Sequence, residues 1–291
     1  MTARSVPSEI AGVAIARDVA TLRAIVAEWR AAKARIALVP SMGALHAGHL
    51  SLVAEAKERA DRTVLSIFVN PTQFAPSEDL GSYPRPFARD VEAFAAAGGD
   101  LVFAPDAAEI YPAGFATIIS VGGPAKAGLE DKFRPDHFAG VATVVAKLFN
   151  ECRPDLAVFG EKDYQQLKVV ERMVRDLDLG IGIVAAPTLR EKDGLALSSR
   201  NEYLSPEERA KAPLLYATLV SCRAALRDGA AIDVALASAR ARLANAGFGV
   251  DYVEARDAET LAPVVEIGRA AIRLLCAARL GKTRLIDNIA V

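Results

Sequence analysis

RIALVPSMGALHAGHLSL, residues 35–52, reads as a strand, a turn and a helix in succession. RIALV at 35–39 is a short apolar run, and Pro40, which has no N–H for a ladder, predicts its end. Gly43 permits a tight turn, and a helix is predicted over 47–60. TVLSIFV, 63–69, is continuously apolar and β-branched, the pattern of a parallel strand covered on both faces. Working outward, a helix is predicted at 18–33 upstream. Downstream come helix 88–97, strands 101–104 and 117–121, helix 138–150, strand 155–159, helix 163–177 and strand 181–185. This alternation predicts an α/β fold, a Rossmann-like parallel sheet with helices on both faces. Ligands of such sheets lie at the carboxyl ends of strands, which picks out the residues after Val39, Val69 and Phe159. Beyond about residue 190 the pattern changes to helices at 206–227 and 232–246, then strands at 250–255, 271–277 and 284–289. Two domains are therefore expected: a Rossmann-like domain over 1–188 and a smaller C-terminal α+β domain over 189–291.

Of the 291 residues, 52% are hydrophobic and 24% charged, so a packed core is expected. The net charge of -1, from 35 basic and 36 acidic residues, provides no overall field for nucleic acid or an anionic membrane. An anionic ligand must be held by local cations. Cys152, Cys222 and Cys276 are odd in number and far apart, which suits reduced, buried thiols. No apolar run reaches the roughly 18 residues that span a bilayer. The N-terminal MTARSVPSEIAGVAIARD has charges where a signal peptide needs an apolar core. A cytoplasmic protein is expected.

Five segments carry candidate chemistry. His46 and His49, two of the three histidines, are three apart and share one face at a helix N-terminus. Such a terminus attracts anions, and Gly48 leaves room for a nucleotide. Taken alone, the pair also reads as capping or packing; as a metal site it lacks the HExxH spacing and a third ligand. FVNPTQF, 68–74, offers the neutral amides of Asn70 and Gln73, although alone it reads as an Asn-Pro turn. FGEKDYQQL, 159–167, places Gly160, Glu161, Lys162 and Asp163 at a strand end, with Lys162 suited to phosphate; alone it reads as a capped helix. LREKDGLALSSRNEYLS, 189–205, carries Ser198, Ser199 and Arg200, a hydroxyl and guanidinium cluster able to wrap phosphate. FRPDHFAGV, 133–141, offers Arg134 as a phosphate clamp and His137 as a helix-start residue.

The first segment resembles the HxGH signature of the nucleotidyltransferase superfamily, and 198–200 stands where that superfamily has its mobile KMSKS loop. The ordered set, with YPR at 83–85 and RLIDN at 284–288, resembles the pantothenate synthetase family over nearly the whole chain. The resemblance implies ATP-dependent condensation of pantoate with β-alanine through a pantoyl-adenylate, with Mg²⁺, in a homodimer. It implies that Met42, Gly43, Ala44, Leu45, His46, Ala47, Gly48 and His49 form the ATP turn. His49 would be a proton donor and His46 would lie on the phosphates. Gly160, Glu161, Lys162 and Asp163 would hold ATP, Leu189 would meet the adenine through its backbone, and Leu197, Ser198, Ser199 and Arg200 would close over the triphosphate. Gln73 would contact pantoate and β-alanine, Asn70 would orient pantoate, and Gln166 would bind it. His49, His46, Lys162 and Arg200 are the catalytic candidates, and the loop 74–86 is a candidate lid.

Two departures stand out. Asp136 replaces the glycine expected in RPGHF; if that position requires positive φ, Asp is strained there, and its charge opposes phosphate binding by Arg134. The family also uses an acidic residue near Asp90 to place magnesium, but Arg89 is adjacent here and the metal ligand stays unassigned. Another adenylyl- or cytidylyltransferase would share HxGH without FVNPTQF or FGEKDYQQL, and a non-catalytic nucleotide-binding protein would lack a site histidine or lysine, whereas His46, His49, Lys162 and Arg200 are all present.

Overall fold

The computed structural model describes residues 8–75, 78, 80–268 and 270–291. It opens with a hairpin, β1 (Ser8–Ile10) and β2 (Val13–Ala16), turned through Ala11 and Gly12 at positive φ. Strands of three and four residues hold too little alternation to be read from sequence. Then follow α1 (Val19–Ala31), β3 (Ile36–Ser41), α2 (Ala47–Lys57), β4 (Arg62–Ile67), α3 (Phe87–Ala96) and β5 (Leu101–Phe103). The short α4 (Ala107–Ile110) and α5 (Glu130–Phe133) precede α6 (His137–Cys152), β6 (Leu156–Gly160), α7 (Tyr164–Asp176) and β7 (Gly182–Ala186).

These strands form one seven-stranded sheet in the order β1-β2-β5-β4-β3-β6-β7, parallel except for β1. Successive strands run outward from β3 to β4 and β5, then return to β6 and β7 on its other side. The topological switch lies between β3 and β6, so the turns leaving these two strands flank the ligand crevice. Helices cover both faces: α1, α6 and α7 pack over one apolar cluster, α2 and α3 over the other.

β3 continues through Pro40 to Ser41, two residues beyond the predicted stop. There β3 pairs only with β4, because its pairing with β6 ends at Leu38, so a residue without an N–H is tolerated. Residues 117–121 form no strand: the Ile119 N–H donates to Thr143 Oγ1 at 2.9 Å, and Ile118 is exposed. The predicted helix 206–227 is two, α8 (Pro206–Lys211) and α9 (Leu214–Arg227), broken at Pro213. After α10 (Ile232–Asn245) come β8 (Gly249–Asp257), β9 (Ile272–Leu280) and β10 (Thr283–Ala290), a separate antiparallel sheet in the order β10-β9-β8. Helices α9 and α10 cover it over a third cluster. Among the described residues no helix is long and apolar enough to cross a membrane. All three cysteines are free and buried.

Candidate active site

The turn after β3 runs through Gly43 (φ 83°) and Ala44 (φ 52°). Asp90, buried in the first turn of α3, accepts the N–H of Ala44 at 2.8 Å and of Leu45 at 2.7 Å. A Cβ on Gly43 would lie 2.9 Å from an Asp90 oxygen, so this close approach requires glycine. With each oxygen accepting a backbone N–H, Asp90 clamps the turn. Burial still raises its carboxyl above the usual range, against those two donors.

The two histidines cap α2 reciprocally. His46 Nδ1 accepts the Gly48 N–H at 3.1 Å, and His49 Nδ1 accepts the His46 N–H at 3.3 Å. Each ring therefore uses its unprotonated nitrogen on the backbone and carries its hydrogen on Nε2. The ring centroids are 4.1 Å apart. Burial, then the neighbouring Lys162, lowers the His46 pKa; burial, then His46, lowers that of His49 to about 3. Both are neutral at pH 7, so each ring has an Nε2–H hydrogen bond to offer. A Cβ on Gly48 would lie 2.9 Å from His46 Cε1. The glycine thus makes room for the imidazole, a need that reading it as space for a nucleotide did not identify.

Asn70 is buried and its amide is fully engaged. Nδ2 donates to Gln73 Oε1 (3.1 Å) and Gly140 O (3.2 Å), while Oδ1 accepts from Tyr111 OH (2.7 Å) and Thr72 Oγ1 (2.9 Å). It organises a 3-10 turn, Pro71–Gln73, through its side chain. Gln73 Nε2 reaches Met42 Sδ at 3.2 Å. The Gln73 carbonyl accepts from His137 Nδ1 (2.9 Å) and Arg134 Nη2 (3.2 Å). His137 thus has the opposite tautomer, and burial, then Arg134, lowers its pKa to about 4. Arg134 also pairs with Glu78, at 2.8 Å to Oε2, so it serves the protein before any phosphate. Glu78 lies in the proposed lid, of which Pro76, Ser77 and Asp79 are outside the described residues. Asp136 has φ -97°, so the strain expected of a glycine replacement does not arise.

After β6, Glu161–Asp163 forms a 3-10 turn leading into α7. Lys162 and a half-exposed Asp163 carboxylate face each other at 3.8 Å. Residues Arg190 and Ala196 bridge to make a small hairpin, and Leu197 N–H donates to Leu189 O at 3.0 Å. Ser198 then caps a 3-10 turn, Ser199–Tyr203, accepting the Arg200 N–H at 3.3 Å.

A cavity of about 230 Å³ joins these pieces. Met42, His46, Gly48, His49, Asn70, Gln73, Gly160, Lys162, Asp163, Gln166, Leu189, Leu197, Ser198, Ser199 and Arg200 line it. Gly43, Ala44, Leu45, Ala47 and Glu161 are not among its lining residues. A larger adjoining cavity of about 500 Å³, open toward β9 and β10, shares Lys162, Asp163, Gln166, Ser198 and Arg200. Among the described residues no three His, Cys, Asp or Glu side chains gather as a metal cage. A magnesium ion carried on phosphate oxygens needs only one or two carboxylates, and Asp163 fits that requirement.

The sequence reading missed the supports. In the sequence Asp90 stands out only as lying near an expected metal ligand. Gly140 sits where a Cβ would lie 2.4 Å from Thr72 O, so α6 touches the Asn70–Gln73 turn through bare backbone. An unexplained Gly four residues into a helix is the signal that could have found it.

The pantoate–β-alanine ligase family model matches residues 14–290. The chain belongs to the pantoate–β-alanine ligase family. Its reaction is the family's, the ATP-dependent condensation of pantoate with β-alanine to pantothenate through a pantoyl-adenylate. A pantothenate synthetase of Bradyrhizobium sp. is 58% identical over 277 residues, 95% of this chain and 98% of that one. One from Rhodopseudomonas palustris is 57% identical over the same shares. The crystal structure of a Thermus thermophilus pantothenate synthetase matches with TM-score 0.89 at 47% identity, covering 94% of this chain and 98% of that one. A Francisella tularensis pantoate–β-alanine ligase, complexed with β-γ ATP and β-alanine, matches with TM-score 0.78 at 32% identity, over 97% and 98%.

Proposed function

We propose that this ligase activates the pantoate carboxylate in the 230 Å³ cavity through two neutral histidines, Lys162 and the Ser198–Arg200 loop. The reciprocal histidine cap carries this reading. It exhausts both Nδ1 atoms on backbone and leaves one N–H per ring, on Nε2. Those N–H groups, at a helix N-terminus, suit phosphate oxygens whose charge grows as the pantoate oxygen attacks the α-phosphorus. His46 and His49 act as hydrogen-bond donors. Lys162 and Arg200 offset charge on the departing pyrophosphate, with the Ser198 and Ser199 hydroxyls beside them. Leu189 and Leu197 provide apolar walls and backbone groups for the base.

Gln73, steadied by Asn70 and His137, and Gln166 hold the pantoate end. In the second half-reaction the β-alanine amine attacks the mixed anhydride, AMP leaves, and the protein need supply no nucleophile. Its work is orientation and exclusion of water, for which the loop 74–86 is the proposed lid. Mg²⁺, with Asp163 completing its shell, would supply charge neutralisation on the triphosphate. A cytoplasmic homodimer divided into domains near residues 188–189 completes the reading.

Pantoate-dependent exchange of labelled pyrophosphate into ATP, without β-alanine, tests the adenylate half-reaction. Exchange is expected from the wild type and should collapse in His49→Ala. Undiminished exchange in that variant would remove the histidine turn from the mechanism.

A further inference from the structure

RLIDN, 284–288, stands in β10, on the opposite sheet from the loops of the site, and has no role in the reading above. Asp287 and Asn288 within it are adjacent and each 3% exposed. Neighbours on a strand point to opposite sides, and these two reach different loops. Asn288 Nδ2 donates to the Glu161 carbonyl and to the Lys162 carbonyl, both at 2.9 Å. Its Oδ1 accepts from Arg273 Nε at 2.6 Å, which fixes the amide's orientation. Arg273 also holds Glu161 Oε2 at 3.0 Å. Asp287 receives both arms of Arg190, at 2.6 and 2.8 Å, and Arg190 stacks 3.8 Å above the Tyr216 ring. Arg190 follows Leu189 and pairs across the hairpin with Ala196, two residues before Ser198.

One pair of adjacent buried side chains therefore holds both the Lys162 turn and the hairpin that leads into Ser198–Arg200. A fully engaged buried amide and a bidentate guanidinium–carboxylate pair are directional contacts, suited to fixing position. We infer that Asn288 and Asp287 are positioning residues for adenylate formation, Asn288 setting the place of Lys162 and Asp287, through Arg190, that of the 198–200 loop. This rests on the proposed contact of Lys162 with the triphosphate.

The test is a double-mutant cycle on pantoate-dependent pyrophosphate exchange, using Asn288→Ala, Lys162→Ala and the double variant. Displacing a reacting group by about 1 Å costs on the order of 100-fold. Asn288→Ala should therefore slow exchange about 10- to 100-fold while the KM for β-alanine in the full reaction stays unchanged. If Asn288 acts through Lys162, the double variant is no slower than Lys162→Ala by more than about 2-fold. Losses that multiply overturn the inference and leave the Lys162 reading standing. Wild-type exchange in Lys162→Ala overturns both. Should Asn288→Ala fail to fold, Arg273→Met releases the same amide while keeping its donors. Its smaller loss, about 3- to 10-fold, must also vanish in the Lys162→Ala background, and a loss that persists there overturns the inference.

Discussion

Gly140→Ala sets two effects against each other at one atom. In a helix interior alanine is favoured over glycine by about 1 kcal/mol. Here the new methyl would lie 2.4 Å from Thr72 O, 2.6 Å from Thr72 C and 2.8 Å from Gln73 N. Carbon contacts settle near 3.5 Å, so the two backbones must separate by roughly 1 Å. α6 cannot yield, because 13 of its 16 residues are buried. The Pro71–Gln73 turn moves instead, stretching the Asn70–Gly140 hydrogen bond from 3.2 Å and carrying Gln73 with it. Overpacking costs about 1–3 kcal/mol, so the net destabilisation is about 0–2 kcal/mol. Function suffers more, because Gln73 is the proposed pantoate contact and a 1 Å error in such a group costs on the order of 100-fold. Urea melts and pantoate-dependent pyrophosphate exchange measure the two effects separately. Exchange within about 3-fold of wild type, or a stability gain near 1 kcal/mol, would show that the turn does not depend on this contact.

Further outcomes follow from the same geometry. Gly48→Ala drives His46 off its cap, since the methyl meets Cε1 at 2.9 Å. Exchange should fall about 10- to 100-fold with the melting temperature lowered by a few degrees, and unaltered exchange would refute the capping role. His49 and His137 are held neutral to about pH 3 and 4, against roughly 6.5 when unfolded. Below about pH 6.5 the unfolded chain takes up those protons first, so stability falls from there toward pH 4 and 3. Melting temperatures between pH 7 and 5 should decline, and a flat profile contradicts the assignment. Glu130 accepts both arms of Arg284 and the Tyr252 hydroxyl at 2.8 Å in a buried site between the two sheets. Glu130→Gln removes one of two carboxylates from that guanidinium, which keeps Asp251 at 2.6 Å, and should cost about 1–3 kcal/mol by urea unfolding; less than about 0.5 kcal/mol would mean that Asp251 alone satisfies Arg284.

The alternation of strands and helices was legible because burial on both faces writes itself as apolar runs at fixed period. That is why β3, β4 and β6, with the helices after them, stand close to where the sequence puts them. The β1–β2 hairpin was illegible because its strands are too short to show a period. The apparent strand at 117–121 failed because apolar residues there have no neighbouring strand to bond with. Residues lining the cavity were legible where the motif is local: His46 and His49 are three apart, and Ser198 to Arg200 are contiguous. Asp90, Gly140, Arg190, Arg273 and Asn288 were not, because each acts on residues far away in sequence.

By itself, then, the sequence determined the fold class, the family and the set of polar groups that surround the cavity. Periodicity and local motifs depend only on neighbouring residues. Tertiary structure alone decided which of those groups line the cavity and which are engaged by protein partners. Asn70 and Arg134 look like ligand contacts in the sequence, yet each is held by protein partners, Arg134 by Glu78 and both by the Gln73 turn. It also decided the histidines' charge and tautomers. Those follow from burial and from which backbone N–H each Nδ1 meets, and both conditions arise only when the chain is packed.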